Sequence, residues 1–203
     1  MERRFALVGH RAPSSGKINL NDLAGSCGRL DVLLRAVNSA LFLSHGIRQD
    51  SHVTLHLMGG PGLPRRICFQ GSTVKNLHPD ERALAGQIAK VLKEPVPAIG
   101  IMSQVSPGIT HSGGDISTTL EEWSNEGVTQ FVLSADAEIS FEEVAKAPPE
   151  KIGLYLSDDM PFSDEEECIL ASRCESRTLG SVWLQGHMAI GVVHHLLDSS
   201  NQD

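Results

Sequence analysis

The chain contains 203 residues with a net charge of −8, and 4% of its residues are aromatic. This length suffices to bury one α/β core, and the aliphatic composition argues against an aromatic-rich β-sandwich. The absence of a run of 18 apolar residues argues against a membrane-spanning helix, and the first residues predict no signal peptide. Four cysteines without a CxxC pair predict reduced thiols, no metal site and a cytoplasmic location.

Charge is divided unevenly along the chain. Residues 1–100 contain 13 lysines and arginines against 7 acidic residues, a net of +6, whereas residues 101–203 contain 4 against 18, a net of −14. A polyanionic partner is therefore expected to contact the N-terminal part. The alternative is an ordinary surface bias, in which the arginines serve solvent or dimer contacts.

The N-terminal part predicts a strand, a long loop and a helix. Arg3–His10 contains a short apolar run typical of a buried strand, and residues 11–29 are rich in Gly, Ser, Pro and Asn, as functional loops often are. The helix Leu30–Gly46 follows the turn Gly25–Arg29. Because this turn lacks the Walker lysine and does not match GxGxxG, a mononucleotide site is not expected, and an RNA phosphate stays open as its ligand.

The central part predicts two more strands and a helix. Strands are expected at Ser51–Met58 and Arg65–Phe69, and a helix is expected over residues 78–93. Beyond this helix, the pattern predicts a short strand at Ile99–Met102. It also predicts an irregular, site-like loop over residues 106–114.

From about residue 98, strands alternate with helices. The strands Val128–Leu133, Ile152–Leu156 and Glu175–Leu179 are separated by a helix at Phe141–Ala147 and by an acidic helix that Ser163 caps. This order predicts an α/β fold, with a mostly parallel sheet and helices on both faces. Ligands bind beyond the carboxyl ends of such strands, so the three strand ends predict one crevice.

The last segment, Arg177–Asp198, combines a strand end, a Leu-Gly-Ser turn, a loop and a helix. A strand that breaks at glycine before a helix leaves free backbone N–H groups, which suits a small-molecule site. An ordinary strand-to-helix connection is the alternative. The convergence of three strand ends favours the site.

Five stretches of the sequence carry a resemblance to a known family. They are RFALVGHRAP, NDLAGSCGRLDVLLRAVNSALFLSHGIR, HPDERALAG, SDDMPFSDEEE and LGSVWLQGHMAIGVVHHLLD. Together they resemble the TrmY family of archaeal tRNA pseudouridine N1-methyltransferases. The resemblance extends from about residue 3 to residue 198, essentially the whole chain.

The resemblance implies a SPOUT fold, an α/β sheet whose C-terminal part forms a deep trefoil knot, in a single domain over residues 1–203. Residues 1–97 would form a basic half with RNA-facing loops, and residues 98–203 would form the knotted, cofactor-binding half. The implied protein is a homodimer that binds S-adenosyl-L-methionine and methylates structured RNA, with tRNA as partner and neither DNA nor a membrane involved. The implied reaction is N1-methylation of pseudouridine, at position 54 in the archaeal relatives.

By position, the resemblance also implies a set of cofactor-binding residues. They are Leu133, Ser157, Asp158, Leu179, Gly180, Ser181, Val182, Trp183, Leu184 and Met188. Two of them depart from the family pattern, in which Gly stands in place of Ser157 and Cys in place of Met188. These departures and the acidity of the chain predict a divergent branch, with a bacterial origin left open.

Candidate catalytic and RNA-binding residues lie in the basic half. Asp31, with Arg29 beside it, is the candidate for orienting or deprotonating the base, because the N1 proton must leave during methyl transfer. The alternative for Asp31 is an ordinary first-turn acid that the helix dipole favours. The candidates for phosphate contacts are Arg11, Arg29, Arg65, Arg66 and Arg82.

Three rival functions stay open at this stage. The first is a SPOUT enzyme that acts on another RNA nucleotide. The second is a cofactor-binding, RNA-associated protein with little catalysis, which is considered because Ser157 and Met188 depart from the family pattern. The third is a metabolite-binding α/β protein without an RNA partner.

Overall fold

The computed structural model describes residues 1–199. Its strands are β1 (Glu2–Pro13), β2 (Phe42–Leu43), β3 (Gly46–Ile47), β4 (Ser51–Gly59), β5 (Arg65–Gln70), β6 (Ser103–Ser106), β7 (Ile109–Gly113), β8 (Thr129–Leu133), β9 (Lys151–Ser157) and β10 (Glu175–Arg177). Its helices are α1 (Leu30–Leu41), α2 (Glu81–Val91), α3 (Ile116–Asn125), α4 (Phe141–Lys146), α5 (Asp164–Ala171) and α6 (Gly186–Ser199).

Eight strands form one sheet in the order β10-β8-β9-β1-β4-β5-β7-β6. The five strands from β10 to β4 are parallel, whereas β5, β7 and β6 each run antiparallel to their neighbours. The parallel strands are joined by crossovers that contain helices. Short turns join β4 to β5 and β6 to β7, whereas the connection from β5 to β6 contains α2. The predicted α/β fold with a mostly parallel sheet is confirmed, and both the basic and the acidic part of the chain contribute strands to it.

The strand β1 lies inside the sheet and separates two layers of helices. Its residues Phe5 and Leu7 face the larger core, which α1, α2, α4 and α6 complete. Ala6 and Val8 face the opposite core, which α3 and α5 complete. All four residues are buried because helices cover both faces of a central parallel strand. The predicted placement of helices on both faces is confirmed.

Helix α1 is shorter than the predicted helix Leu30–Gly46. It buries Leu33, Leu34 and Val37 against the sheet, as their helical spacing predicts. The helix ends at Leu41 because Phe42 adopts an extended conformation, with φ −91° and ψ 137°. The residues that follow form the small antiparallel pair β2 and β3, so Gly46 belongs to a strand and not to the helix.

The predicted strand Ile99–Met102 and the predicted irregular loop 106–114 are both wrong. This segment forms the hairpin β6–β7, with Gly108 at φ 71° in its turn. Strand β7 then pairs with β5 along its whole length, which places the hairpin at the sheet edge opposite to β10. Ile99 forms an isolated bridge with Gly113. The Pro-Gly turn signal was present in the sequence, but the polar residues around it hid the strand alternation.

Helix α6 brings the C-terminal part of the chain back to the middle of the sheet. Buried His194 accepts a hydrogen bond at Nδ1 from Arg3 (2.9 Å), donates from Nε2 to the Ala40 carbonyl (3.2 Å), and lies edge-on to Phe5. Burial, with the charges of Arg48 and Arg3, lowers the pKa of His194 to about 3, so the ring is neutral. Within residues 1–199, no helix is long and apolar enough to cross a membrane.

Candidate functional site

A cavity of about 650 Å³ opens at the carboxyl ends of β8, β9 and β10. Residues 132–135, 156–162 and parts of 179–186 line it, and α5 closes one side with Glu167, Leu170 and Ala171. These segments meet because parallel strands present their carboxyl ends at one edge of the sheet. The volume lies within the usual range for small-molecule sites, roughly 300 to 1,000 Å³.

The walls of the cavity are largely apolar, with polar groups at a few points. The apolar lining includes Leu133, Leu156, Phe162, Leu170, Leu179, Val182, Trp183 and Leu184. Carboxylates come from Asp159 and Glu167, and hydroxyls come from Ser134 and Ser157. An apolar cavity with carboxylates at its wall suits a ligand that combines a flat ring with a cationic group.

Eight of the ten residues expected at a cofactor site line this cavity, and Ser181 and Met188 do not. Met188 lies in the first turn of α6 with 54% of its surface exposed. Trp183 lines the cavity and is nevertheless 66% exposed, so the loop between β10 and α6 presents apolar surface both to the cavity and to solvent.

The hydroxyl of Ser157 has a structural role in the turn after β9. It donates a hydrogen bond to the carbonyl of Met160, three residues further along. Both Ser157 and Met160 line the cavity. The serine at this position therefore stabilises the turn at the cavity wall.

A histidine that the sequence did not single out lies behind the same turn. The ring of His10, near the end of β1, forms hydrogen bonds through Nδ1 to Asp158 (3.0 Å) and through Nε2 to Glu166 (2.9 Å). The backbone N–H of His10 also donates to Asp158 (2.9 Å). The position of His10 was the available signal, since His10 and Asp158 both lie just beyond the last paired residues, Val8 and Ser157, of the parallel strands β1 and β9. Glu166 was recognisable as a capping-box residue of α5, but its contact with His10 was not.

Two arginines of the basic part, Arg11 near the end of β1 and Arg29 just before α1, contact Asp159 at the cavity wall. Arg11 forms an ion pair with this carboxylate, and Arg29 Nη1 lies 3.4 Å from it. Arg29 also donates to both oxygens of Asp31, at 3.0 and 3.2 Å. Arg35 pairs with the other side of Asp31. The predicted catalytic pair Asp31 and Arg29 is thus joined to the cavity through one shared carboxylate.

Asp31 is buried between two guanidinium groups. Burial alone would raise the pKa of Asp31, but the hydrogen bond and charge of Arg29, together with Arg35, outweigh it, and the pKa lies below its ordinary value. An ionised carboxylate with a lowered pKa is a poor proton acceptor at neutral pH. The geometry therefore suits Asp31 to fixing the orientation of Arg29.

The prediction that Arg65 and Arg66 contact RNA is wrong, because both are buried and their partners lie within the protein. Arg65 donates to the carbonyls of Val91 and Glu94, and Arg66 forms two hydrogen bonds with Glu122 at 2.5 and 2.8 Å. Arg82 lies in the first turn of α2, is exposed, and donates to the side chain of Asn21. Arg11, Arg29 and Arg82 therefore stay as the solvent-accessible candidates.

Comparisons with known proteins agree with this architecture. A family model described as "Putative SAM-dependent RNA methyltransferase" matches residues 2–202. Curated relatives named tRNA (pseudouridine(54)-N(1))-methyltransferase include those of Haloarcula marismortui, 40% identical over 200 residues and covering 98% of this chain and 97% of the relative. The relative from Haloferax volcanii is 40% identical over 201 residues, with coverage of 98% and 97%. The relative from Methanosarcina acetivorans is 36% identical over 204 residues, with coverage of 99% and 93%.

A solved structure supports the fold independently. The crystal structure of Archaeoglobus fulgidus Nep1 bound to S-adenosylhomocysteine is similar to this chain with a TM-score of 0.67, over 100% of both chains. The two sequences are 12% identical, so this likeness concerns the fold.

Proposed function

The chain belongs to the family of SAM-dependent RNA methyltransferases whose model it matches, and from this membership we propose that it methylates N1 of pseudouridine 54 in tRNA. The relatives that carry this name cover nearly the whole chain, including every segment that lines the cavity. As a family member it is an enzyme whose cofactor is S-adenosylmethionine.

The cavity fits S-adenosylmethionine in its chemistry. We propose that the apolar walls, with Leu133, Leu179 and Leu184, hold the adenine ring, and that Asp159 and Glu167 face the cationic part of the cofactor. A carboxylate beside a cation is stabilised where a low-dielectric wall excludes water. The same assignment extends to the other lining residues expected at the site, which are Ser157, Asp158, Gly180, Val182 and Trp183.

S-adenosylmethionine, held by these cavity residues, would supply an activated methyl group for N1 and would leave as S-adenosylhomocysteine, with the N1 proton released to solvent. The protein's contribution is to orient the base, and we assign that role to Arg29. Its guanidinium can donate to a carbonyl oxygen of the base or to a phosphate, in a direction that Asp31 fixes. Asp31 acts through Arg29, because its lowered pKa makes it a weak base.

The structural observation that best supports an RNA substrate is the contact of Arg11 and Arg29 with Asp159. Asp159 lines the cavity, whereas Arg11 lies near the end of β1 and Arg29 directly precedes α1, both in the basic part. A methyl donor in the cavity and a polyanion on the arginines would thus meet at one point, as a methyl transfer to RNA requires.

The test is incubation of the protein with isotope-labelled S-adenosylmethionine and a tRNA that contains pseudouridine 54, followed by nucleoside mass spectrometry. We expect labelled N1-methylpseudouridine from this tRNA and none from the same transcript with uridine at position 54. Label on a different nucleoside would support a SPOUT enzyme with another target. Cofactor binding without any transfer to RNA would support an RNA-associated protein with little catalysis.

We further propose that the enzyme is a single-domain cytoplasmic homodimer with a C-terminal trefoil knot. A dimer is supported by exposed apolar residues in and after the last loop, which are Val182, Trp183 and Met188. A knot is supported by the path from edge strand β10, past the cavity, to α6, which packs beside α1. A cytoplasmic location is supported by the four free cysteines and by a tRNA substrate.

A further inference from the structure

We propose that His10 is a positioning residue whose imidazolium form holds the cofactor-facing turn after β9, so that cofactor affinity depends on the charge of His10. This inference rests on the proposed function, because it concerns the same cavity. His10 itself does not line the cavity, and the fold alone does not imply that cofactor affinity depends on pH.

The hydrogen-bond partners of the His10 ring determine its protonation form. Nδ1 lies 3.0 Å from Asp158 Oδ1, and Nε2 lies 2.9 Å from Glu166 Oε2. A neutral imidazole has one N–H group, whereas an ionised carboxylate can only accept. Both contacts are therefore hydrogen bonds only when the ring is the doubly protonated cation, and loss of one proton breaks one of them.

The two carboxylates connect His10 to the wall of the cavity. Asp158 accepts from the backbone N–H of Met160 (2.9 Å), and its own backbone N–H donates to Val8 (3.0 Å). Glu166 accepts from the backbone N–H of Ser163 (2.8 Å), which closes the capping box of α5. One ring thus joins β1, the turn over residues 158–163 and α5. Residues 158–162 of that turn all line the cavity.

The direction of the pH effect follows from these contacts. Burial alone would lower the pKa of His10, but the hydrogen bonds and charges of Asp158 and Glu166 outweigh it, so the pKa is raised. Burial likewise opposes ionisation of Glu166, but Ser163 and His10 outweigh it and lower the pKa of that carboxyl. The bridge is therefore complete above the ordinary pKa of a glutamate. It is lost as the pH rises through the pKa of folded His10.

Another buried histidine lies near Glu166 but carries no charge over this range. His56, on β4, donates from Nδ1 to the Leu7 carbonyl (3.3 Å), and its Nε2 lies 2.8 Å from the Thr119 hydroxyl. Burial and the charge of Arg66 lower its pKa to about 4. Of His10 and His56, His10 is therefore the one whose charge changes at neutral and higher pH.

The test measures the affinity for S-adenosylhomocysteine by calorimetry at a series of pH values from about 6 to about 9, where histidines titrate. We expect the wild-type affinity to fall as the pH rises. His10→Gln, which is uncharged at every pH and lacks the two opposed ring nitrogens, is expected to bind about tenfold more weakly at the lowest pH and with little dependence on pH. His45→Gln, at an exposed position, is the matched control and should behave as the wild type.

A second variant and a second readout keep the inference testable if His10→Gln folds poorly. Glu166→Gln keeps an acceptor for His10 and removes the charge, so the fall in affinity should move to lower pH. In the wild type, NMR titration of His10 should show a higher pKa with S-adenosylhomocysteine bound than without it, because linkage is reciprocal. An unchanged pKa, or parallel pH profiles for His10→Gln and wild type, would overturn the inference. No binding by the wild type at any pH would instead refute the proposed function.

Discussion

Arg29 combines an unfavourable backbone conformation with three charged contacts. Its φ of 61° and ψ of 34° lie in the left-handed region, which costs free energy for any residue with a Cβ atom. The side chain nevertheless bonds to both oxygens of Asp31 and approaches Asp159. Strain retained at a residue that joins two loops at a cavity is consistent with selection for its position.

The two-point contact of the Arg29 guanidinium with Asp31 can be tested without altering the charge of residue 29. Arg29→Lys keeps the charge and the backbone strain but cannot hold both oxygens of Asp31. We expect methyl transfer to tRNA to fall about tenfold to hundredfold, because the orienting group moves, with cofactor affinity nearly unchanged. Arg173→Lys, at an exposed arginine of the other part of the chain, is the control. Equal losses of transfer in both variants would contradict the orienting role.

Gly28 is required for the close approach of two loops beside Arg29. Its φ is 57°, and a Cβ atom there would lie 1.9 Å from the backbone oxygen of Arg11. We expect Gly28→Ala to lower the free energy of unfolding by at least about 2 kcal/mol, measured by urea denaturation. In Gly86→Ala, on helix α2, a Cβ atom would have no described neighbour within 4 Å outside its own helix. This control is expected to be neutral or stabilising by up to about 1 kcal/mol.

Single residues were the hardest level to predict from sequence. The strand-end rule located the cavity, because it depends only on the order of the elements. The burial of Arg65 and Arg66 was missed, since arginines are mostly exposed and the carbonyls and Glu122 that compensate them lie 26 to 56 positions away in the chain. The contacts of His10 span 148 and 156 positions, which no local pattern indicates.

At the scale of elements, periodicity and caps predicted most segments near their true places. The continuous apolar run of β1 and the acidic first turn of α5 after Ser163 are local signals, and both elements formed as predicted. The hairpin β6–β7 was missed because its side chains do not alternate clearly and its pairing with β5 is tertiary. The early end of α1 was missed because the residues after Leu41 pair locally, as β2 with β3, and do not continue the helix.

Helix α6 is joined to the sheet by an ion pair at its last turn. Asp198 accepts from Arg48 at 3.0 and 2.8 Å, and it lies 2.7 Å from Nη2 of Arg3, which is buried. We expect Asp198→Asn to lower the free energy of unfolding at pH 7 by about 1 to 2 kcal/mol, because the buried guanidinium of Arg3 loses one of its two carboxylate partners, while solvent screens the contact with Arg48. Asp136→Asn, at an exposed loop position, is the control.

The effect of Asp198 should depend on pH in one direction. Burial opposes its ionisation, but Arg48 and Arg3 outweigh burial and lower the pKa of Asp198. Its contribution is therefore complete above the ordinary pKa of an aspartate and is lost as the pH falls through the lowered value. The difference in unfolding free energy between wild type and Asp198→Asn should therefore shrink steadily as the pH falls below the ordinary pKa of an aspartate, about 3.9. A difference that stays constant would show that the variant acts through packing.

At the scale of the whole molecule, the arginines that could contact RNA and the cavity lie in different parts of the chain. The accessible arginines Arg11, Arg29 and Arg82 belong to the basic part, and the cavity belongs to the acidic part. The acidic part repels a polyanion, so an RNA substrate is expected to bind at the arginines of the basic part. The net charge of −8 is thus compatible with an RNA substrate, since binding depends on where the positive charge lies.

The proposed dimer gives a prediction that involves the whole assembly. The exposed fractions of Val182, Trp183 and Met188 are 69%, 66% and 54%, and the three lie on one short segment beside the cavity. If a second copy covers this segment, Met188→Glu should bury a charge at the interface and raise the dimer dissociation constant by about thirtyfold or more, measured by sedimentation equilibrium. Ile101→Glu is the matched control, because Ile101 is 60% exposed before the edge strand β6. Dissociation caused by Ile101→Glu but not by Met188→Glu would place the interface at the opposite edge of the sheet, and would remove the partner subunit from the proposed active site.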